Sequence, residues 1–385
     1  ITDGANGNIA ITPNGSGAVQ LDGLSWPTAD GSANQVLKTD GSGTLSWTAA
    51  SSGASNVNGL SDALIEDNSL YLGQDPSSTT STAEYNLSLG ATALDAVTTG
   101  DGNTAVGFNA LTANTSGEGN VAIGYNTLAA NTTASQNLAM GYNALAIQTT
   151  AGEYNTAVGN YTLDNNTIGD RNVALGYVAL TANSEGSKNT GIGTSSSKAN
   201  TTGSQNTSVG NSSLYSNTSA SYNTAIGGRA LYNANRTADT DGYNTALGYN
   251  AGNTGTNDIT TGNKNTLLGA STAASAAAGT NQTVIGYGAS GVANNSVTIG
   301  NSDVTAWYPG ADNTADLGSS SVEFKDLYID GTANLDAVDI DGGAIDGTAI
   351  GANSASTGAF TTITASTSVD VTGSTGIILE NDETI

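Results

Sequence analysis

The chain has 385 residues, of which 33 are acidic and 8 are basic, so its formal net charge is -25. It contains neither His nor Cys, which excludes a Ser-His-Asp triad, a cysteine nucleophile, a histidine-ligated zinc and a disulfide framework. The few basic residues are dispersed and no apolar run approaches the ~18 residues of a membrane span, which argues against nucleic-acid binding and membrane insertion.

The first segment, residues 1–67, shows no repeat and contains Gly/Ser-rich turns such as Asp40-Gly-Ser-Gly43. Two of the three tryptophans, Trp26 and Trp47, lie in it. We expect short strands in a small β-rich segment. The chain starts at Ile1 without a Met or a basic leader, which favours a mature or excerpted piece of a longer protein.

A repeat organises residues 68–300. Each unit reads Asn, a β-forming residue, a small residue, an aliphatic residue and Gly, as in Asn120-Val-Ala-Ile-Gly124. Nine of the thirteen steps between successive glycines are 17 residues long, one is 18, one is 14 and two are 21. The glycines stand at positions 73, 90, 107, 124, 141, 159, 176, 193, 210, 227, 248, 269, 286 and 300.

A 17-residue unit is too short for a pair of helices, so the unit consists of strand and turn. The aliphatic residue before each glycine and the β-former two positions earlier share one side of a strand. We expect each unit to supply two short strands that turn their apolar sides toward each other, so that this side faces a second apolar column across the coil. The small residue between the two apolar positions points away and lets a neighbour approach closely. That second column lies four residues after the glycine and comprises Leu94, Leu111, Leu128, Leu145, Leu163, Leu180, Leu214 and Leu231.

Stacked units would pair each strand with the next and share one core, which predicts an all-β fold, a parallel β-solenoid. At ~4.8 Å per coil the thirteen steps rise by roughly 60 Å. The two 21-residue steps are expected to form longer surface turns. An Asn at the head of each strand predicts a structural ladder of stacked amides. It comprises Asn86, Asn103, Asn120, Asn137, Asn155, Asn172, Asn189, Asn206, Asn223, Asn244 and Asn265.

Two further segments follow the repeat. Four aromatic residues in 301–334 predict a cap or transition at the end of the solenoid: Trp307, Tyr308, Phe324 and Tyr328. Residues 335–385 carry apolar residues every few positions, as expected of an acidic fibre segment in which three chains share a thin core. Acidic residues concentrate between 311 and 350, but their spacing matches no calcium loop, so a solvated acidic face is favoured over a Ca²⁺ site.

Several motifs resemble known protein families. Asn120-Val-Ala-Ile-Gly-Tyr-Asn-Thr-Leu128 and Tyr222-Asn-Thr-Ala-Ile-Gly227 are similar to the head repeats of trimeric autotransporter adhesins and to arrays in phage tail fibres. The stretches at 34–47, 311–320 and 338–347 resemble tail-fibre proteins of phages, marine ones especially. The resemblance implies a left-handed β-roll and a homotrimer.

The resulting functional expectation is a structural and host-attachment fibre of a virion, extracellular and located at the tail. Its expected partners are further copies of itself, the baseplate or other fibre proteins, and a cell-surface glycan or protein receptor. One alternative is a bacterial surface adhesin with the same β-roll. Another is a polysaccharide-degrading tailspike, which needs two carboxylates ~5–10 Å apart. Because the acidic residues of the repeat show no fixed column, we expect no enzyme, no catalytic residue and no cofactor.

One set of aromatic residues is a candidate glycan contact. Aromatic rings recur directly after the repeat glycine, first at Phe108, and a second set precedes the Asn. Such rows could simply cover the corner of the solenoid, or they could offer a platform for sugar rings. The candidate contacts are Tyr125, Tyr142, Tyr177, Tyr249 and Tyr287, and the second set is Tyr85, Tyr154, Tyr222 and Tyr243.

Overall fold

The computed structural model describes residues 20–21, 24–27, 29, 31–33, 35–49, 63–73, 76, 79–237, 241–311, 316–319 and 321–330. The chain divides into two compact units, Ile1–Trp307 and Tyr308–Ile385. In the described residues, all regular secondary structure is β-strand. The strands are β1 Gln20–Leu21, β2 Leu24–Ser25, β3 Gln35–Thr39, β4 Leu45–Ala49, β5 Ala63–Glu66, β6 Ser69–Leu72, β7 Leu87–Leu89, β8 Thr104–Val106, β9 Val121–Ile123, β10 Leu138–Met140, β11 Thr156–Val158, β12 Val173–Leu175, β13 Thr190–Ile192, β14 Thr207–Val209, β15 Thr224–Ile226, β16 Thr245–Leu247, β17 Thr266–Leu268, β18 Gln282–Ile285 and β19 Ser296–Ile299.

The predicted β-solenoid is confirmed. Fourteen strands, β6 to β19, pair in parallel and in chain order, and each ends at the residue before one of the repeat glycines. β5 adds a fifteenth, antiparallel strand beside β6, so the sheet begins at Ala63. The longer steps keep the register, because Leu138 pairs with Thr156 and Thr224 with Thr245. The all-β, repetitive fold is therefore a solenoid of about thirteen turns.

The two sides of these strands are the reverse of what the sequence predicts. The small residue at the strand centre is buried, as at Ala105, Ala122 and Ala225, whose side chains are 0% exposed. The aliphatic residue beside it faces outward, and Leu175 and Leu247 are 46% and 45% exposed. The expected close approach of a neighbouring chain onto the alanines is thus wrong, because those alanines fill the inside of the coil.

Volume explains the reversal. The leucine that stands four residues after eight of the glycines is fully buried, as predicted, and it packs inside the coil against the centre of the next strand. A methyl group added at the strand centre Gly191 would lie 3.1 Å from Leu180 Cγ. Where the leucine is missing, at Gly252 and Ala273, the following strand centre becomes large, with the buried Leu267 and Val284. In most coils the interior therefore holds one large and one small residue.

The leucine column lies in a turn rather than in a second strand. Leu111 and Leu128 have φ angles of 52° and 49°, in the left-handed region that few residues with a Cβ adopt. Each coil thus contributes one three-residue strand, so the prediction of two strands per unit is wrong. The buried leucine side chain offsets the strain, which is of the order of 1 kcal/mol.

The predicted asparagine ladder is confirmed as a structural element. Asn120 Oδ1 accepts a hydrogen bond from the Asn137 backbone N–H at 3.0 Å, and Asn120 Nδ2 donates to the Ala134 carbonyl at 2.9 Å. A second ladder, which the sequence analysis missed, runs seven residues after the glycine, where Asn131 Nδ2 donates to Asn114 Oδ1 at 2.9 Å. The amides satisfy buried backbone groups that three-residue strands leave unpaired.

The buried apolar residues form two clusters. The first extends from Tyr71 to Leu180 and the second from Leu214 to Ala289. Four buried serines separate them, and their hydroxyl groups bond one another and the backbone, with Ser196 Oγ 2.6 Å from Ser208 Oγ and Ser197 Oγ 2.7 Å from the same atom. The core thus turns from apolar to polar for one coil without leaving those hydroxyls unpaired.

The flanks are described more sparsely. In residues 1–67, β1 pairs with β2 and β3 with β4, both antiparallel, and Trp47 Nε1 donates to the Ala29 carbonyl at 2.8 Å. Trp307, Tyr308, Phe324 and Tyr328 are between 64% and 90% exposed. That this segment forms a cap or transition at the end of the solenoid stays a prediction. In the second unit, the Ser319 N–H donates to the Val322 carbonyl at 2.9 Å. The segment 335–385 lies outside the described residues.

Candidate functional site

The repeat glycine positions the aromatic residues. Gly124 has a φ angle of 132°, and a Cβ there would lie 2.7 Å from the Gly141 carbonyl oxygen. Only glycine fits where successive coils come so close, and the chain turns outward directly after it. The residue that follows each glycine therefore stands on an exposed corner, where Tyr125 is 43% exposed.

Three of the five predicted tyrosines share one row of rings. The Phe108 and Tyr125 ring centres are 5.4 Å apart, and those of Tyr125 and Tyr142 are 5.0 Å apart with an interplanar angle of 6°. Tyr161 then continues the row, 5.3 Å from Tyr142 and 6.3 Å from Tyr177, with tilted rings. Sequence reasoning missed Tyr161 because it stands two residues after Gly159, in the column that Asn126 and Asn143 occupy in preceding coils, rather than directly after the glycine. Partial burial raises its pKa.

The remaining candidates stand apart from this row. Tyr249 and Tyr287 are 58% and 75% exposed, and neither contacts another ring among the described residues. In the set that precedes the asparagine, only Tyr222 and Tyr243 stack, with ring centres 4.9 Å apart. The Arg171 guanidinium lies 5.4 Å from the Tyr154 ring centre. The two predicted ladders are thus one row of five rings and one pair.

A third aromatic group has no counterpart in the sequence analysis. Tyr215 and Tyr232 stack with ring centres 4.8 Å apart and an interplanar angle of 8°. Lys198 Nζ lies 5.5 Å from the Tyr215 ring centre, and the Arg229 guanidinium lies 5.0 Å from that of Tyr232. The sequence indicates this pair, because both tyrosines stand five residues after a repeat glycine. It occurs in only two coils, so no periodicity drew attention to it.

Beside Tyr232 lies a surface pocket of about 300 Å³. It is formed where the two 21-residue steps interrupt the repeat. Its lining combines one aromatic ring, one cation, one carboxylate and several amides. Its side chains are Arg229, Tyr232, Asn233, Asn250, Asn253, Thr254 and Asp258.

The acidic residues correct another expectation. Asp101 and Glu118 are one coil apart and stack in register, as the Gly119 N–H donates to the Asp101 carbonyl at 2.9 Å. Glu153 and Asp170 occupy the same column, so the statement that the acids follow no column is wrong. Asp101 Oδ1 also accepts the Glu84 backbone N–H at 2.8 Å, which gives this carboxylate a structural role. That the chain is not an enzyme stays a prediction.

Among the described residues, no group of three or more acidic side chains could hold a metal ion. Only Asp316, Glu323, Asp326 and Asp330 of the C-terminal acidic region belong to those residues. The described part of the chain also contains no helix of the length and apolarity that a membrane span requires. Comparison with protein-family models, with curated proteins and with solved structures gives no match.

Proposed function

We propose that this chain is a structural and host-attachment fibre protein of a virion, which works outside cells as a homotrimer. The observation that carries the proposal is the outward side of the parallel sheet. It exposes an aliphatic side chain in every coil, and this stripe follows fourteen strands. Single soluble proteins rarely expose apolar patches of such extent, and larger ones mark interaction surfaces.

The exposure of the stripe is substantial. Leu89, Leu175, Leu247 and Ile299 are between 45% and 50% exposed, and each stands at the same position of its own coil. Thr, Val or Leu occupies the other outward position of each strand, which makes the surface flat and regular. A partner whose side chains also recur once per coil would contact this stripe along its whole length.

Further copies of this chain have that spacing by construction. The stripe contains no charged side chain in β6 to β19, so copies can approach there although each carries a net charge of -25. The resemblance to trimeric adhesin heads and tail fibres supports three copies around one axis. A left-handed coil is part of the same proposal.

The attachment role is supported by what remains exposed outside the stripe. The row of rings from Phe108 to Tyr177 is flanked by polar side chains, among them Asn109, whose Nδ2 donates to Asn126 Oδ1 at 3.0 Å. Flat rings beside hydrogen-bonding amides suit sugar rings, and repetition along the coils would add weak contacts together. The receptor would thus be a cell-surface glycan.

Oligomeric state tests the assembly, and cell binding tests the attachment. Light scattering should give about 114 kDa, three chains of 38.0 kDa each. A mass of 38.0 kDa at moderate salt would contradict the trimer. The labelled protein should bind intact cells of a susceptible marine bacterium and lose that binding after the cell-surface glycans are removed by periodate oxidation. Binding that survives oxidation would point to a protein receptor.

A further inference from the structure

The pocket beside Tyr232 lies next to an inserted segment that a buried side chain holds in place. Gly252 stands where most other coils carry the buried leucine. Ile259, from the inserted segment, fills that space and is 0% exposed, and its backbone N–H donates to the Gly252 carbonyl at 3.0 Å. The 21-residue step at this place is therefore more than a surface turn, because its tip is fastened into the core.

Side chains hold the rest of the insertion in place. Asn233 Nδ2 donates to Asp258 Oδ2 at 2.9 Å and to Asn253 Oδ1 at 3.1 Å. Asp258 Oδ1 accepts the Gly255 backbone N–H at 2.7 Å. Both carboxylate oxygens of Asp258 thus serve the loop, and Asn253 is only 6% exposed. A pocket with fixed walls binds a ligand at a smaller entropic cost than a mobile loop would.

The charge at this pocket differs from that of the whole chain. Arg229 and Lys198 are two of only eight basic residues in a protein with a net charge of -25, and they stand at opposite ends of the Tyr215–Tyr232 stack. Arg229 is exposed and forms no ion pair with any residue that the structure describes. The Tyr232 ring orients its guanidinium, whose N–H groups can donate hydrogen bonds to an anionic partner that lies in the guanidinium plane.

We propose that this pocket binds a carboxylated sugar of an acidic polysaccharide, such as a uronate unit. The Arg229 guanidinium would pair with the sugar carboxylate, and the amides of Asn250 and Asn253 would bond its hydroxyl groups. The edges of the stacked Tyr232 and Tyr215 rings would pack against the apolar face of the sugar, and Lys198 would meet the next carboxylate along the polymer.

The inference rests on the proposed attachment function and names a ligand class for it. The row of rings from Phe108 to Tyr177 has no cation over its rings among the described residues, so it suits neutral sugars. An acidic polymer would be repelled by most of this chain, and the positive charge of Arg229 beside Tyr232 would determine where the polymer binds.

The test uses the full chain and a defined probe. A uronate tetrasaccharide and a neutral glucose tetrasaccharide are titrated by calorimetry at low and at high salt. We expect the uronate to bind with a Kd below ~1 mM, at least tenfold tighter than the neutral sugar, and to weaken with salt. Arg229→Gln should lower the uronate affinity at least tenfold. Lys264→Gln removes the same charge from an exposed residue in another column and should leave the affinity within twofold.

Three outcomes would overturn the proposal. They are equal binding of the two sugars, an equal loss in both variants, which would mean unspecific charge attraction, and no uronate binding up to ~10 mM. Circular dichroism of each variant confirms its fold. A trimer that attaches to cells but ignores the uronate would refute this inference alone. A monomer that binds the uronate would refute the proposed assembly alone.

Discussion

The two sides of the parallel sheet are both apolar, yet they are built differently. Inside the coil, the strand centre is Ala in seven of the fourteen parallel strands, and a leucine from the turn packs against it. Outside, each strand presents a larger aliphatic residue with Thr, Val or Leu two positions away. The larger hydrophobic side chain thus lies on the more exposed side. In a 17-residue coil it is the enclosed volume, rather than hydrophobicity, that selects the inner side chain.

This difference has an energetic consequence. Fully burying a leucine contributes about 1.5–3 kcal/mol, and an alanine adds much less. One such pair per coil is a small core for 17 residues whose backbone must be ordered. The amide ladders hold the interior together by satisfying polar groups, and the outer stripe still has apolar surface to bury. The inner side therefore determines the fold, and the outer side is available for assembly.

The largest expected effect comes from placing the same carboxylate on either side of one strand. Ala225→Asp puts an unpaired charge in the interior between Leu214 and Leu231, and it should cost several kcal/mol and disrupt the neighbouring coils. Ile226→Asp stands on the outer side, so the single chain should keep its fold and lose its self-association. Circular dichroism and light scattering on both variants separate the two effects.

A conservative control completes the pair. Ile226→Val keeps an outward aliphatic residue and should preserve both the fold and the assembly. If Ile226→Asp unfolded the chain as thoroughly as Ala225→Asp, the assignment of the two sides would be incorrect. If it assembled like the unchanged chain, the stripe would not be the contact surface.

A smaller effect is expected from the ladder of the inner side. In Asn206→Ala, the Asn223 backbone N–H and the Ala220 carbonyl lose side-chain partners that now lie at 3.0 Å and 2.9 Å. The Asn223 N–H is then left without a partner, whereas the Ala220 carbonyl keeps the Asn217 Nδ2 donor at 2.9 Å. One buried group without a partner should cost about 1–3 kcal/mol in the free energy of unfolding, measured with urea. Asn211→Ala, in an exposed position, should change it by less than ~0.5 kcal/mol.

The repeat made the columns predictable but not their orientation. Each column has one environment along the stack, so recurrence alone identified the asparagine ladder, the leucine column and the strand ends. Which side of the strand is inside could not be deduced, because both sides are apolar and period 2 fits either assignment. The leucine column was taken for a strand because its left-handed φ angles are unusual for that residue type.

The candidate site was predictable only where it repeats. The row through Tyr125 and Tyr142 follows from one column, and the structure confirms that these rings stack. The Tyr215–Tyr232 pair occurs in two coils only. Ile259 fills the space left by the missing leucine at Gly252, and it comes from an insertion without a counterpart elsewhere. Such single features depend on which neighbour lacks a side chain, and this requires the three-dimensional arrangement.

Removing the tyrosine row should affect stability moderately and binding more. Replacing Tyr125, Tyr142 and Tyr177 together by Ser removes stacked but half-exposed rings, and we expect a loss of about 1–2 kcal/mol in the free energy of unfolding. The folded variant should adsorb more weakly to cells. Tyr249→Ser, which removes a ring without a stacking partner among the described residues, is the control and should leave stability unchanged. Unchanged adsorption by the folded triple variant would place recognition elsewhere.

The smallest effect concerns Asp164, which is partly buried in the turn directly after Leu163. Burial raises the pKa of its carboxyl group, although the Thr181 hydroxyl donates to its Oδ1 at 2.7 Å. The folded chain therefore holds this proton more tightly than the unfolded chain, and stability decreases as the pH rises above the ordinary carboxyl range. Asp164→Asn keeps the acceptor for Thr181 without the charge. It should raise the free energy of unfolding at pH 7, measured with urea, by less than ~1 kcal/mol. Near pH 3 it should change nothing, because Asp164 is protonated in both the folded and the unfolded original chain. An equal gain at both pH values would instead indicate a packing effect, because ionisation contributes only at the higher pH.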